Sequence, residues 1–423
     1  MFVMDSLRKA LFRALSKSHL PMLRSALSLG VSLAYEAGDP MPVFHAALSG
    51  AHVDVSVLQT LEQAGADPAT IDAREGASAL HMAVALPDAR VLEWLLSEGL
   101  NVDAQTHDGE TALMRSAQLP ALEDSDPAMA ERALRDARVL IAAGADVNVV
   151  DGHGRTALHY AVEAGAGEMV SLLLLAGGDG DVADAGGDTP LHVAAAEGRD
   201  LIARDILSSG ADPKAINGVG FSGLHILAEK PGVEMTPAHL RLADALIRAG
   251  ADLTQVDNRG YTPLVAAAAA GNIPIAAVFV AHHADVSAES SAALRLAVLY
   301  EDNDMTDLLL KAGAEADLAA GPDEERPLHT AAQEGFVHGI RVLLDHGADI
   351  EARNIDGETP LLIAARRQKY AAVTLLLERG ASIRAEDHYG CTVQMLVSQR
   401  ADSHLAKLLQ NRTADDLLLV QSR

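Results

Sequence analysis

A block of about 33 residues recurs along this chain, and a recurrence of that length leaves few folds open. Each copy reads as a turn, a [TS]-[PA]-L-H start, an Ala-rich helix, a Leu-rich helix and then G-A-D. The leucine-equivalent positions are Phe44, Leu80, Leu113, Leu158, Leu191, Leu224, Leu264, Leu294, Leu328, Leu361 and Gln394. Their successive separations are 36, 33, 45, 33, 33, 40, 30, 34, 33 and 33 residues. The pattern therefore keeps its phase through three lengthened copies and one shortened copy, so each copy is one supersecondary unit that must bury its apolar face against the next.

Residues 184–214 show how one copy works. Thr189 precedes the first helix and is able to accept a hydrogen bond from a free backbone N–H, while Pro190 takes the first helical position, where a missing donor costs nothing. Leu191, Ala194 and Ala195 make a narrow apolar face that lets a neighbouring helix approach closely. Gly198 ends that helix. Leu201, Ile202, Ile206 and Leu207 build the second helix, and Gly210 supplies its left-handed terminus. Ala211-Asp212 starts the connection and Gly187 closes the turn before the helix, so successive units are joined by short hairpin fingers. Thr156, Thr262 and Thr359, with Ser78 and Ser222, recur as caps, and Gly144, Gly250 and Gly347 recur as helix ends.

Composition narrows the function. The chain of 423 residues carries a formal net charge of −26. The acid is concentrated in residues 41–360, between two weakly basic ends. So acidic a surface repels phosphate backbones, which argues against nucleic acid and anionic membranes as partners. Aromatics make up 3% of residues against 49% apolar, so base-stacking platforms and large aromatic cofactor pockets are disfavoured. A single cysteine, Cys391, leaves no intrachain disulfide and suits a reducing compartment. The first 20 residues spread Arg8, Lys9, Arg13 and Lys17 through their apolar positions, as an amphipathic helix does and a cleavable signal peptide does not. Leu264–Ala281 lacks charge for eighteen residues but is broken by Gly271, Asn272 and Pro274, which the repeat explains better than a membrane span.

Several motifs invite chemistry and fail on context. His45, His81, His159, His192, His225 and His329 all fall in the helix-start motif. Stacked helix pairs sit roughly 10 Å apart, too far to share one metal ion, so these rings are expected to be structural hydrogen-bonders. Gly218-Val219-Gly220-Phe221-Ser222-Gly223 matches the letters of a dinucleotide fingerprint, but no apolar strand leads into it and it occupies a finger. Glu301–Asp307 is rich in oxygen ligands yet lacks the glycine and glutamate of a calcium loop, and fits the start of a second helix. Asn411-Arg412-Thr413 is a glycosylation sequon only in a secreted chain. No catalytic, cofactor or metal site is expected.

The chain resembles the ankyrin-repeat family, through Thr189-Pro190-Leu191-His192, Thr359-Pro360-Leu361, Thr156-Ala157-Leu158-His159 and the Gly-Ala-Asp at 144, 210, 250 and 347. The resemblance implies an all-α solenoid of stacked helix pairs with short hairpin or turn connections, whose concave side binds proteins. About twelve units are expected. Residues 1–40 form a degenerate cap, 41–386 hold ten repeats and 387–423 form a terminal cap and tail, with Leu417–Val420 packing over the last repeat. Insertions between paired helices are expected near 119–131 and 229–239. An irregular, weakened joint is expected near 282–295, where Ser291–Arg295 replaces the usual start and His282-His283 removes the left-handed cap.

Partner contacts fall on finger tips and on the exposed ends of first helices. The aromatic and arginine residues there, Arg155, Phe221, Arg259, Tyr261, Tyr300, Arg366, Arg367 and Tyr389, are the candidate binding set, since such side chains dominate interface energy. Phe221 and Tyr261 equally suit packing of finger on finger. The leading function is a non-enzymatic, monomeric, cytoplasmic scaffold for a protein partner with a basic patch, either an inhibitor or immunity protein or a host-directed effector. Export by a route lacking a cleavable signal stays open, and the Ala, Gly and Arg usage suggests a bacterial source. The alternatives are an effector with catalytic activity in its non-repeat segments, and a self-associating spacer.

Overall fold

The computed structural model describes residues 2–17, 19–34, 41–50, 53–84, 86–119, 127–400 and 402–410. The tail Thr413–Arg423, the Asn411 sequon and positions 120–126 of the first insertion lie outside them. The chain divides into two compact units, Met1–Gly218 and Val219–Arg423. Among the described residues there is helix and turn but no sheet; the extended pairing amounts to isolated antiparallel bridges at Ala320–Glu325 and Glu386–Thr392.

In the first unit the helices come in pairs: α1 (Phe2–Ser16) with α2 (Leu20–Ser28), α3 (Val43–Leu48) with α4 (Val55–Gln63), α5 (Ala79–Ala83) with α6 (Ala89–Ser97), α7 (Ala112–Gln118) with α8 (Pro127–Ala142), α9 (Ala157–Glu163) with α10 (Gly167–Leu175), and α11 (Pro190–Glu197) with α12 (Asp200–Ser208). First helices stack on first helices, α1 on α3 and onward to α11, while α4, α6, α8, α10 and α12 form a second layer. The core lies between the layers. Leu80, Leu158 and Leu191 fill it from the first helices, and Leu95, Leu173 and Ile206 from the second. Each unit thus buries an apolar face that one helix pair alone leaves wet.

The second unit repeats the plan: α13 (Gly223–Glu229) with α14 (Pro237–Arg248), α15 (Pro263–Ala269) with α16 (Ile273–Ala281), α17 (Ala288–Leu299) with α18 (Asn303–Lys311), α19 (Pro327–Glu334) with α20 (Val337–Asp345), α21 (Pro360–Arg366) with α22 (Tyr370–Glu378), then α23 (Val393–Arg400) and a helical stretch at 403–410. A 3₁₀ turn, Gly232–Glu234, occupies the lengthened link between α13 and α14. The uncharged stretch 264–281 is split between α15 and α16, and no helix among the described residues is long and apolar enough to cross a membrane. Gln394, placed at a leucine position by the repeat, is exposed; Val393 and Leu396 supply the apolar contacts of α23 instead.

The histidines explain the helix-start motif. In α9 the Nδ1 of His159 accepts the backbone N–H of the cap residue Thr156 at 3.1 Å, and its Nε2 donates to the carbonyl of Asp188 in the following finger at 3.1 Å. His81 does the same between Ser78 and Glu110, His225 between Ser222 and Tyr261, and His329 between Arg326 and Ala352. One neutral ring therefore satisfies a helix-start donor and ties it to the next unit, the structural role expected of it. At α3 the cap is Pro42, which has no N–H to give, and Nδ1 of His45 is left buried without a partner although Nε2 reaches Ala77 O at 2.7 Å.

The fingers stack by backbone hydrogen bonds at their tips. In the first unit His107 N donates to Glu75 O, Gly152 N to Asp108 O, Ala185 N to His153 O and Gly218 N to Gly186 O, at 2.6–2.8 Å. At Gly187, with φ of 83°, an added Cβ would lie 2.5 Å from Gly218 N. Glycine is required there both by the left-handed turn and by the approach of the next finger. In the second unit the row is interrupted. Ile355 N donates to Asp323 O and His388 N to Asp356 O, both at 2.9 Å. Between the finger at 257–261 and the one at 320–325, however, the chain runs from Asp285 straight into α17 with no finger of its own.

That junction corrects one expectation. The left-handed cap after α16 persists without glycine, because His283 itself adopts φ of 62° and the bond from Ala284 N to Phe279 O still closes the helix at 3.0 Å. The cost of roughly 1–2 kcal/mol for a non-glycine residue is carried by the packing of α16 on its neighbours. A second irregularity follows at Ser291, which is buried with φ of 57° inside α17 and whose hydroxyl has no partner.

Candidate protein-interaction surface

Finger tips and first helices position the candidate residues, and these fall into three groups. In the first unit, Asp151 opens a finger and its Oδ1 accepts the N–H groups of His153 and Arg155 at 2.8 and 2.9 Å. Its Oδ2 accepts the Tyr160 hydroxyl at 2.5 Å. The Arg155 guanidinium lies 4.3 Å from the Tyr160 ring centre and pairs with Glu163 at 2.7 Å. Burial opposes ionisation of Asp151, but the Tyr160 hydroxyl and the two N–H groups hold its carboxyl below the usual range. Burial, together with that same hydroxyl bond, pushes the Tyr160 phenol up.

In the second unit, Arg259 is clasped between two aromatic rings, 5.3 Å from the centre of Phe221 and 4.9 Å from that of Tyr261. Its guanidinium also pairs with Glu229 at 2.5 Å and with Asp257 at 2.6 Å, and the Asp257 side chain is wholly buried. Phe221 further stacks on His225 at 5.9 Å. Of the two roles open to Phe221 and Tyr261, this geometry supports the packing of finger on finger: the cation, both rings and both carboxylates are already engaged with one another.

The third group surrounds the missing finger. Its absence opens a cleft of about 300 Å³ lined by Tyr261, Ala292, Arg295, Leu296, Leu299, Glu325, Thr330 and Gln333. A second hollow of about 350 Å³ adjoins it, sharing Glu325 and Gln333 and reaching Glu358, Ile363, Arg366 and Arg367. Tyr300 caps α17 beside Leu299 and is 60% exposed. Arg366 pairs with Glu358 at 2.7 Å and with Asp387 at 2.9 Å, and Arg367 donates to Gln333 Oε1 at 3.3 Å. Tyr389 stands at the tip of the last described finger, 82% exposed.

The structure thus brings Tyr261, Arg366 and Arg367 to two adjoining hollows of the second unit, while Tyr300 stands at the end of α17 and lines neither. Arg155 belongs to the first unit, Phe221 and Arg259 contact one another across neighbouring fingers with Arg259 still exposed, and Tyr389 is separate at its tip. Glu325, Leu296 and Leu299 were not singled out from the sequence, although the missing proline and finger glycine before α17 mark where they become accessible. The segment Glu301–Asp307 is the link to α18 and its first turn, with Asp302 capping Met305 N at 3.0 Å. Among the described residues no group of three or more His, Cys, Asp or Glu side chains is placed to hold a metal ion.

Stacked helix pairs, finger ladders and bridging histidines define a repeat protein of the interaction type, and comparison with known proteins agrees. Ankyrin-repeat profiles match residues 128–217, 233–320 and 294–387, and a single ankyrin repeat matches residues 75–107. The chain belongs to the ankyrin-repeat family, which supports a protein–protein interaction role for it. It is also similar to the putative palmitoyltransferase ZDHHC13 of Danio rerio, with 29% identity over 123 residues, 28% of this chain and 19% of that protein. The chain therefore spans under a fifth of the length of that relative.

Proposed function

We propose that this protein is a non-enzymatic scaffold that captures a protein partner through its finger tips and inner helix faces, and that the partner presents a basic patch. The observation that carries this is the cleft beside α17, where Leu296 and Leu299 line an open hollow at the missing finger, on a chain whose net charge is −26. Exposed apolar and aromatic side chains in a polar surround suit a protein contact, and the surplus of acid favours basic partners and rapid, salt-sensitive association. Within this role the chain acts as a monomeric cytoplasmic inhibitor of a basic protein, with its first and last helix pairs as caps and the segment 282–295 as a weakened joint.

The test is affinity purification of the intact protein from lysate at low and at high salt, with mass spectrometry of what is retained. A stoichiometric basic protein, released as salt rises, is expected. Retention of no protein, or turnover of a small molecule by the purified chain, contradicts the scaffold. A mass in light scattering that grows with concentration contradicts the monomer and points to a self-associating spacer.

A further inference from the structure

Several glutamates at the finger ends and first helices are neutralised by arginines. Glu110 pairs with Arg115 at 3.0 Å, Glu163 with Arg155, Glu229 with Arg259 and Glu358 with Arg366. Glu325 differs. Its backbone is fixed, because its carbonyl accepts Ala320 N at 2.9 Å in the bridge that closes the finger. Its carboxylate makes no hydrogen bond or ion pair among the described residues, although it lines both hollows beside α17 and α19.

The surroundings of that carboxylate narrow what it could receive. Half-burial, and next the charge of Asp323, raise its pKa, and these outweigh the attraction of Arg295 and of the more weakly felt Arg367. Among the charges it feels, Asp323 acts more strongly than Arg295 and Glu358 more strongly than Arg367, so the two acids outweigh the two arginines. An acidic side chain entering the cleft would meet Glu325 itself, with Arg295 on the same lining as its one attraction and with Asp323 and Glu358 acting on the site more strongly than the arginine each is set against. A purely apolar one would cover Glu325 and leave a dry, unpaired charge, which is unfavourable. A cation on an aliphatic stem meets both demands, since Leu296 and Leu299 line the same cleft as the carboxylate and offer apolar cover for the stem.

We propose that the cleft left by the missing finger is a receptor for one arginine or lysine side chain of the protein partner, with Glu325 receiving the cation and Leu296 and Leu299 covering its stem. This site rests on the scaffold role above and supplies its point of specificity. The finger absent at α17 is what makes it: a finger of ordinary length would fill the space between Tyr261 and Glu325.

The experiment uses the intact protein and three probes, N-acetyl-arginine amide, N-acetyl-norleucine amide and N-acetyl-glutamic acid amide, titrated by ligand-observed NMR. The arginine probe should bind saturably, and Glu325→Gln should weaken it by about tenfold or more, the loss of one charge-assisted hydrogen bond. The control Glu197→Gln, an exposed acid in the other unit, should leave binding unchanged. Matching melting curves confirm that both variants fold. No saturable binding of the arginine probe, equal binding by Glu325→Gln, or equal or tighter binding of either other probe overturns the proposal. Partner capture from lysate that persists unchanged in Glu325→Gln leaves the scaffold role standing and removes only this site. Arginine-probe binding with no partner captured does the reverse.

Discussion

Mild acid should destabilise this protein before most of its carboxylates titrate, and the bridging histidines set the size of the effect. His81, His159, His225 and His329 each accept a backbone N–H at Nδ1, so a proton on that nitrogen would face a donor. Burial holds these rings, and that of His45, below the usual imidazole pKa of 6.5. A histidine with a depressed folded pKa contributes its full stability above 6.5. That contribution is lost as pH falls, because the unfolded chain takes up the proton first. Going from pH 7 to pH 5.5, a ring that stays neutral when folded costs about 1.3 kcal/mol. Three rings with lowered pKa lie in the first unit and two in the second, so upper bounds of about 4 and about 2.5 kcal/mol apply, reached only where every ring stays neutral at pH 5.5. Urea unfolding followed by circular dichroism at the two pH values measures this directly. Asp151, Asp257, Asp307 and Asp387, whose pKa values are lowered, lose their contributions only below pH of about 4, outside this window. Stability that is flat or rising between pH 7 and 5.5, or imidazole resonances of these histidines titrating at 6.5 or above, would refute the reasoning.

Other substitutions probe separate parts of the fold. Gly187→Ala forces a side chain into a left-handed turn and against Gly218, and should lower unfolding free energy by about 1–3 kcal/mol in a denaturant titration. Pro42→Ser gives His45 Nδ1 the donor it lacks and adds a capping hydroxyl, so a gain of about 1 kcal/mol is expected, and a loss would show that Pro42 matters more for stiffening the chain. Arg259→Ala strips the cation from buried Asp257 and from both rings, costing about 1–3 kcal/mol of stability with partner capture unchanged; the opposite pattern would return Arg259 to the contact surface. Hydrogen exchange should be fastest, within the second unit, at residues 283–291, where two non-glycine residues adopt positive φ; protection equal to that of α15 and α19 would show no weakness there.

Much of the fold is written locally. Thr189, Pro190, Gly198 and Gly210 act within a few residues of themselves, and the 33-residue phase follows from adding such units, so helix starts, helix ends and stacking order were legible without coordinates. The structural role of the histidines was legible too, because their spacing ruled out shared ligation. The absence of a finger before α17 was visible as missing residues, and its consequence was not. A cleft is a relation between Tyr261, Leu296 and Glu325, which the chain brings together from three successive repeats.

The sequence alone determined what each short segment does: where a helix begins, which residue turns left-handed, how one unit presents its apolar face to the next. Only the tertiary structure decided how the charged side chains are matched. Arg259 is engaged with Phe221, Tyr261 and two carboxylates, while Glu325 makes no ion pair among the described residues although Arg295 shares its cleft. His283 closes a helix that was expected to lose its cap, because neighbouring packing outweighs a local strain of roughly 1–2 kcal/mol. Caps and turns are governed by steric rules spanning a few bonds, whereas pairing of charges depends on which long side chains meet across repeats some thirty residues apart.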